Sequence, residues 1–177
     1  MQRGFTLIEL VVVLTIIAVL AGIALPRMVN LQREARIGQL QSARGSIVSA
    51  STLIHSAMLA RRGMPDVAPC PAAGSAIADN QLSGAGTACT EGGLVQTMHG
   101  YPASSGLGIV SAAGLGTNFN PTTAELAAEG YRITIHGNST TVERIDAQSP
   151  TGCSFIYTEP IQTWTAPIHS PLITSGC

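Results

Sequence analysis

Residues 5–25 read F-T-L-I-E-L-V-V-V-L-T-I-I-A-V-L-A-G-I-A-L, twenty-one positions that carry a single charge, Glu9. Nothing else in the chain limits its folding as strongly. As an α-helix rising 1.5 Å per residue, this run is roughly 30 Å long, the hydrocarbon thickness of a bilayer. A cleaved secretory signal fits it poorly. The basic region is Arg3 alone and the apolar run exceeds the usual length. Instead of a polar mature start, Pro26 interrupts and a helical pattern then resumes.

Glu9 is the informative position. A carboxylate at mid-membrane costs on the order of 2.5–3.5 kcal/mol on insertion scales, which makes it a functional candidate. Near the end of the segment it can instead sit among lipid headgroups. On physics alone both readings stand.

Arg3-Gly4 followed by F-T-L-I-E-L from Phe5 resembles the signature of the type IV prepilins: a short basic leader, Gly, Phe, and a Glu five residues after the Gly. The resemblance implies that a membrane-embedded prepilin peptidase cuts between Gly4 and Phe5 and methylates the new amine of Phe5. It also implies a partner for Glu9. In a filament, the Phe5 amine of a neighbouring subunit meets the Glu9 carboxylate, so neither charge is buried alone. Such a pair sets axial register, as a buried polar residue does in a coiled coil.

Past Pro26, Ile37, Leu40, Ala43, Ile47, Ala50, Ile54 and Ala57 recur at steps of three and four, one apolar stripe on an α-helix. The stripe predicts that the helix lies against a globular head, with its Arg side chains on the exposed face. Gly63 followed by Pro65 is the expected stop. A helix over residues 5–62 spans roughly 85 Å, well beyond a bilayer. Gly22 and Pro26 are its weak points, and a kink is expected at Pro26, which lacks a backbone donor and crowds the preceding turn.

Charge divides the chain in the same way. Residues 1–62 hold seven Arg against Glu9 and Glu34, whereas residues 63–177 hold two Arg against eight acids, for a net charge of −1. That balance lacks the overall basic footprint of a dedicated nucleic-acid binder. With 11% charged residues the chain is no solvated disordered polymer, and with 4% aromatics it has little material for a large core.

The head is expected to be mostly loop with short elements over residues 63–120, which are rich in Gly, Ala, Ser, Thr and Pro. A short helix with a polar start follows at residues 124–129. Residues 131–136 alternate as a half-buried strand should. Gly137-Asn138 turns them into a second strand at residues 140–145, where Arg144 breaks the alternation. Residues 154–158 and 172–174 read as further short strands. Together these predict an α+β fold, with a small antiparallel sheet against the helix stripe.

Cys70, Cys89, Cys153 and Cys177 contain no C-x-x-C spacing, which argues against a zinc knuckle. An even number behind an export-type N-terminus favours disulfides. Of three possible pairings, Cys70–Cys89 with Cys153–Cys177 closes local, non-crossing loops, each contributing about 3 kcal/mol through the unfolded chain. A Cys-bounded loop at the C-terminal end also resembles the type IV pilins. Within that family the segments from Pro26 (P-R-M-V-N-L-Q-R-E-A-R), Gly45 (G-S-I-V-S-A-S-T-L-I-H-S), His99 (H-G-Y-P-A-S-S-G-L-G-I) and Cys153 (C-S-F-I-Y-T-E) are most similar to the mannose-sensitive haemagglutinin (MSHA) pilins.

The resemblance implies a type IV pilin fold, divided into a leader at 1–4, a transmembrane and filament-core helix at 5–25, an amphipathic helix at 26–62 and a globular head at 63–177. It implies a structural subunit of an attachment and biofilm pilus. The precursor would reside in the bacterial inner membrane and the filament on the cell surface. Its partners would be further copies of itself, the prepilin peptidase, the inner-membrane assembly machinery, and host or abiotic surfaces, without specific nucleic acid. The alternatives are a pseudopilin of a type II secretion system and a minor or DNA-uptake pilin. No cofactor, metal site or enzymatic activity is expected. The Gly106-x-Gly108 and Gly114-x-Gly116 pairs lack the remaining parts of a dinucleotide site. His55, His99, His136 and His169 stand apart, and no calcium loop occurs in the head.

Overall fold

The computed structural model describes residues 6–177, without the side chains of residues 25–30. The first element, α1 (Leu7–Ala60), is a single helix of 54 residues. Thr6 starts it, in an extended conformation, with its side-chain oxygen accepting the Glu9 backbone N–H at 3.3 Å. At the other end Arg62 and Gly63 take positive φ, and the Gly63 N–H donates to the Met58 carbonyl at 3.3 Å. A left-handed residue of this kind is how helices commonly stop. The helix therefore runs through Gly22 and Pro26, and the expected bend at Pro26 falls where side chains lie outside the described residues.

The stripe on α1 packs as its spacing predicts up to its last position. Leu40, Ala43, Ile47, Ala50 and Ile54 are buried, but Met58 is buried where Ala57 was expected, and Ala57 is exposed. The step from Ile54 to Met58 is four residues, and the longer side chain reaches the head where a methyl group would not.

Two antiparallel sheets receive the stripe. The first contains β1 (Ala85–Cys89), β2 (Leu94–Met98) and β3 (Tyr101–Pro102), in the order β1-β2-β3. Residues 63–120 are mostly loop with short elements, as composition suggested, and three of those elements pair into this sheet. The small residues A-G-T-A-C of β1 pair in register with β2, from Ala85 opposite Met98 to Cys89 opposite Leu94. Ile54 and Met58 bury themselves against Ala88 and Val95 of this sheet.

The second sheet contains β4 (Tyr131–His136), β5 (Ser139–Arg144), β6 (Ser154–Thr158) and β7 (Ile168–His169), in that order. The β4–β5 hairpin turns at Gly137-Asn138, with His136 opposite Ser139. Leu40, Ala43 and Ile47 pack here with Ile109, Val110, Val142, Phe155 and Tyr157. The strand expected at residues 172–174 is only a single bridge, Ile173 to Ser154. Pro171, which cannot donate to a ladder, separates it from β7. Between the sheets, α2 (Thr123–Ala128) is closed by a reciprocal cap. Glu125 N–H donates to Thr122 Oγ1 at 3.3 Å, and Thr122 N–H donates to Glu125 Oε2 at 2.7 Å. That backbone N–H, followed by the Asn118 and Thr122 side chains, holds the Glu125 carboxyl below its ordinary pKa.

Side chains tie the sheets to each other. The Tyr157 hydroxyl donates to the Pro102 carbonyl at 2.6 Å, and the hydroxyls of Ser104 and Thr140 lie 2.6 Å apart. Burial pushes the Tyr157 phenol well above its ordinary pKa. Arg144, which breaks the apolar–polar alternation of β5, points inward beside Val142 and is buried. It is tolerated there because every face of it is matched: Asp146 at 2.9 Å, the Glu129 carbonyl at 3.1 Å, and the Tyr131 ring at 5.0 Å. Gly130, at φ +80°, leaves the space, since a Cβ there would lie 2.5 Å from the guanidinium.

Candidate functional site

The helix surface that the head leaves uncovered is the candidate site. Leu7–Ala24 is an 18-residue span long and apolar enough to cross a membrane, and none of it is buried in the folded chain. Its β-branched and leucine side chains point into solvent all round, from Leu7 and Ile8 to Leu20 and Ile23. Thr15 settles its hydroxyl internally by donating to the Val12 carbonyl at 2.8 Å, so it adds no unsatisfied donor to an apolar surface. Glu9 lies in the first helical turn, exposed, where the helix dipole favours a negative charge. No ion pair joins it to another described residue. Gly4 and Phe5, the expected cleavage and methylation positions, lie outside the described residues.

Farther along α1, the head is fastened by arginines that sequence reading placed on the exposed face. Arg33 donates to the Thr174 carbonyl at 3.2 Å and Arg36 to the Cys177 carbonyl at 2.9 Å. Arg44 donates to the Ser170 carbonyl at 2.9 Å. Arg36 also pairs with Asp146 at 3.3 Å. Helical spacing puts residues 33, 36 and 44 on one side, close beside Leu40. That spacing was visible in the sequence. Their targets were not, because backbone carbonyls of an irregular segment leave no pattern in side-chain types.

The same segment is held covalently. Cys153–Cys177 joins the start of β6 to the end of the chain, and both cysteines are buried in the main core. Cys70–Cys89 ties the loop after α1 to the end of β1. The four cysteines therefore form two local bridges, one at each sheet.

The histidines are structural neighbours rather than a cluster. His55 stacks on Tyr101 with ring centroids 3.9 Å apart and donates through Nδ1 to the Gly100 carbonyl at 2.9 Å. His99 Nδ1 accepts the Gly84 N–H at 3.1 Å. His169 sits edge-on to Tyr157, and burial, then the Arg44 guanidinium, hold its pKa below the ordinary value. No group of three metal-ligating side chains occurs among the described residues.

An exposed apolar helix that begins with a capped turn and an acid is what the comparisons bear on. Residues 1–25 match the prokaryotic N-terminal methylation motif. The motif thus covers the expected leader and cleavage junction, Glu9 and the whole exposed span. The chain is also similar to the fimbrial protein EcpB of Eikenella corrodens, with 43% identity over 68 residues, 38% of this chain. It spans about 40% of the length of that relative. No solved structure matches the chain. With the motif stand the features of the type IV pilin fold: a long N-terminal apolar helix, antiparallel sheets and a C-terminal disulfide.

Proposed function

We propose that this chain is the repeating structural subunit of a type IV pilus of the MSHA kind, polymerising through its N-terminal helix into surface filaments for attachment and biofilm formation. One observation carries the reading: the 18-residue apolar span is entirely uncovered by the chain's own head. A surface of that size is not left in water, so something outside the subunit must cover it. The bacterial inner membrane covers it in the precursor, and neighbouring copies cover it in the filament.

Processing prepares the exchange. The prepilin peptidase cuts after Gly4, where a missing side chain lets the enzyme approach the backbone closely. The methylated Phe5 amine of an incoming subunit then meets Glu9 of its neighbour. Paired, the two charges enter the apolar core together, and the pair fixes the axial step between subunits. The region at Gly22 and Pro26 is where the helix bends or opens to fit that packing. The arginine contacts and the Cys153–Cys177 bridge keep the head on its helix once the filament bears load. The reading is supported by the methylation motif at residues 1–25 and the fimbrial relative.

The deciding experiment is mass analysis of sheared surface filaments. A dominant band of this chain starting at methylated Phe5 is expected. A start at Met1 or near Pro26, or absence of the chain from surface filaments, refutes the reading. A minor band would point instead to a minor pilin.

A further inference from the structure

The second sheet carries an apolar groove at one edge and an apolar projection near the other. The groove, about 310 Å³, lies between α2 and β4 and is lined by Leu126, Ala127, Tyr131, Ile133, Ile145 and Arg132. The projection is Trp164, in the segment that joins β6 to β7. It is the single tryptophan of the chain and is 80% exposed. Its backbone is held at φ +68°, a conformation that bulky residues avoid. Ile161 and Ile168, on the same stretch of chain, are also exposed, 71% and 67%. The loop is not loose, because the Thr163 hydroxyl lies 3.1 Å from His99 Nδ1 and 3.2 Å from Ser83 Oγ. A strained backbone, pinned at the preceding residue, thus presents the largest apolar side chain to solvent.

We propose that Trp164 of one copy seats in the α2–β4 groove of the next copy, forming a contact between heads; this rests on the filament reading above. Knob and hole lie at opposite edges of a four-stranded sheet, in the order β4-β5-β6-β7. A contact between two different patches is heterologous and propagates, whereas a self-complementary patch would close a dimer. Arg132 at the groove keeps a half-exposed side chain while its Nε pairs with Glu143 Oε2 at 2.6 Å, which fixes the plane of the guanidinium. The guanidinium of Arg132 can lie against the indole face, whose negative quadrupole attracts it.

A single tryptophan makes the test direct. Fluorescence of the full chain is compared between detergent-dispersed monomer and sheared filaments. On assembly the emission maximum is expected to shift to the blue, and acrylamide quenching to fall several-fold. In filaments of Ala127→Phe, which fills the groove from an exposed position, quenching should return towards the monomer value. Wild-type filaments with Trp164 as accessible as in the monomer overturn the contact and leave the filament reading intact. Protection that persists unchanged in Ala127→Phe filaments puts the indole on another surface and likewise overturns it. If the wild-type chain forms no filament, both readings fall together.

Discussion

Arg36 on α1 donates to the carbonyl of Cys177 at 2.9 Å, across 141 residues of sequence. The same guanidinium reaches Asp146 at 3.3 Å, and Asp146 in turn holds the buried Arg144 at 2.9 Å. One helix side chain thus fixes both the loop after β5 and the segment that the Cys153–Cys177 bridge closes. Arg36→Ala should destabilise the full chain by roughly 1.5–3 kcal/mol, the range for hydrogen bonds to charged groups. Denaturant melts of detergent-dispersed protein measure it, and limited proteolysis should show earlier cutting near residues 170–177.

Loss of the C-terminal bridge should act on the same contact. Cys177→Ser is expected to cost about 2–5 kcal/mol, as for native disulfides of small exported domains. The Arg36 and Cys177 substitutions share one segment, so their effects should fall short of additive in a double-mutant cycle. Additive losses would show that the two restraints act independently.

Met58 and Ala57 give a paired test of where the stripe ends. Met58→Ala removes a fully buried side chain that packs near Ala88 and Val95 and should cost about 2–5 kcal/mol. Ala57→Gln, on an exposed position, should stay within about 0.5 kcal/mol. Equal effects would mean that the helix is rotated from the observed face.

Stability should fall in mild acid because of His169. Burial first, and the Arg44 guanidinium second, lower its pKa in the folded chain from the ordinary 6.5. The unfolded chain therefore binds the proton at higher pH than the folded chain does. The contribution is fully present above 6.5 and is lost as pH falls through the lowered folded value. Melting curves between pH 7.5 and about 4.5 should show a smaller acid loss in His169→Gln than in the wild type.

Glu9→Ala should separate assembly from folding. The head lies far along α1 from residue 9, so melts and both disulfides should be unchanged, and cleavage at Gly4-Phe5 should proceed. An incoming Phe5 amine would then be buried without a carboxylate, at a cost of several kcal/mol. Processed monomer should accumulate in the inner membrane while surface filaments disappear, as read by fractionation and electron microscopy. Normal filaments would show that apolar packing alone sets the register.

Local patterns determined much of this protein. The apolar run with Glu9, the α1 stripe from Leu40 to Ile54, the Thr122 start of α2 and the Gly137-Asn138 hairpin are each encoded within a few residues. Side-chain periodicity, capping groups and turn chemistry act at that range. The tertiary structure decided the rest. The β1–β3 sheet has a first strand of A-G-T-A-C, with no alternation to announce it. It exists because Ile54 and Met58 cover Ala88 and Val95 and because Cys89 is bound to Cys70. Arg144 reads as an interruption until Asp146, the Glu129 carbonyl and the space over Gly130 surround it. The arginines at 33, 36 and 44 find backbone carbonyls more than a hundred residues away. Strand pairing, burial of a charge and capture of a carbonyl all depend on what the folded chain brings near, and short-range sequence carries no record of that neighbour.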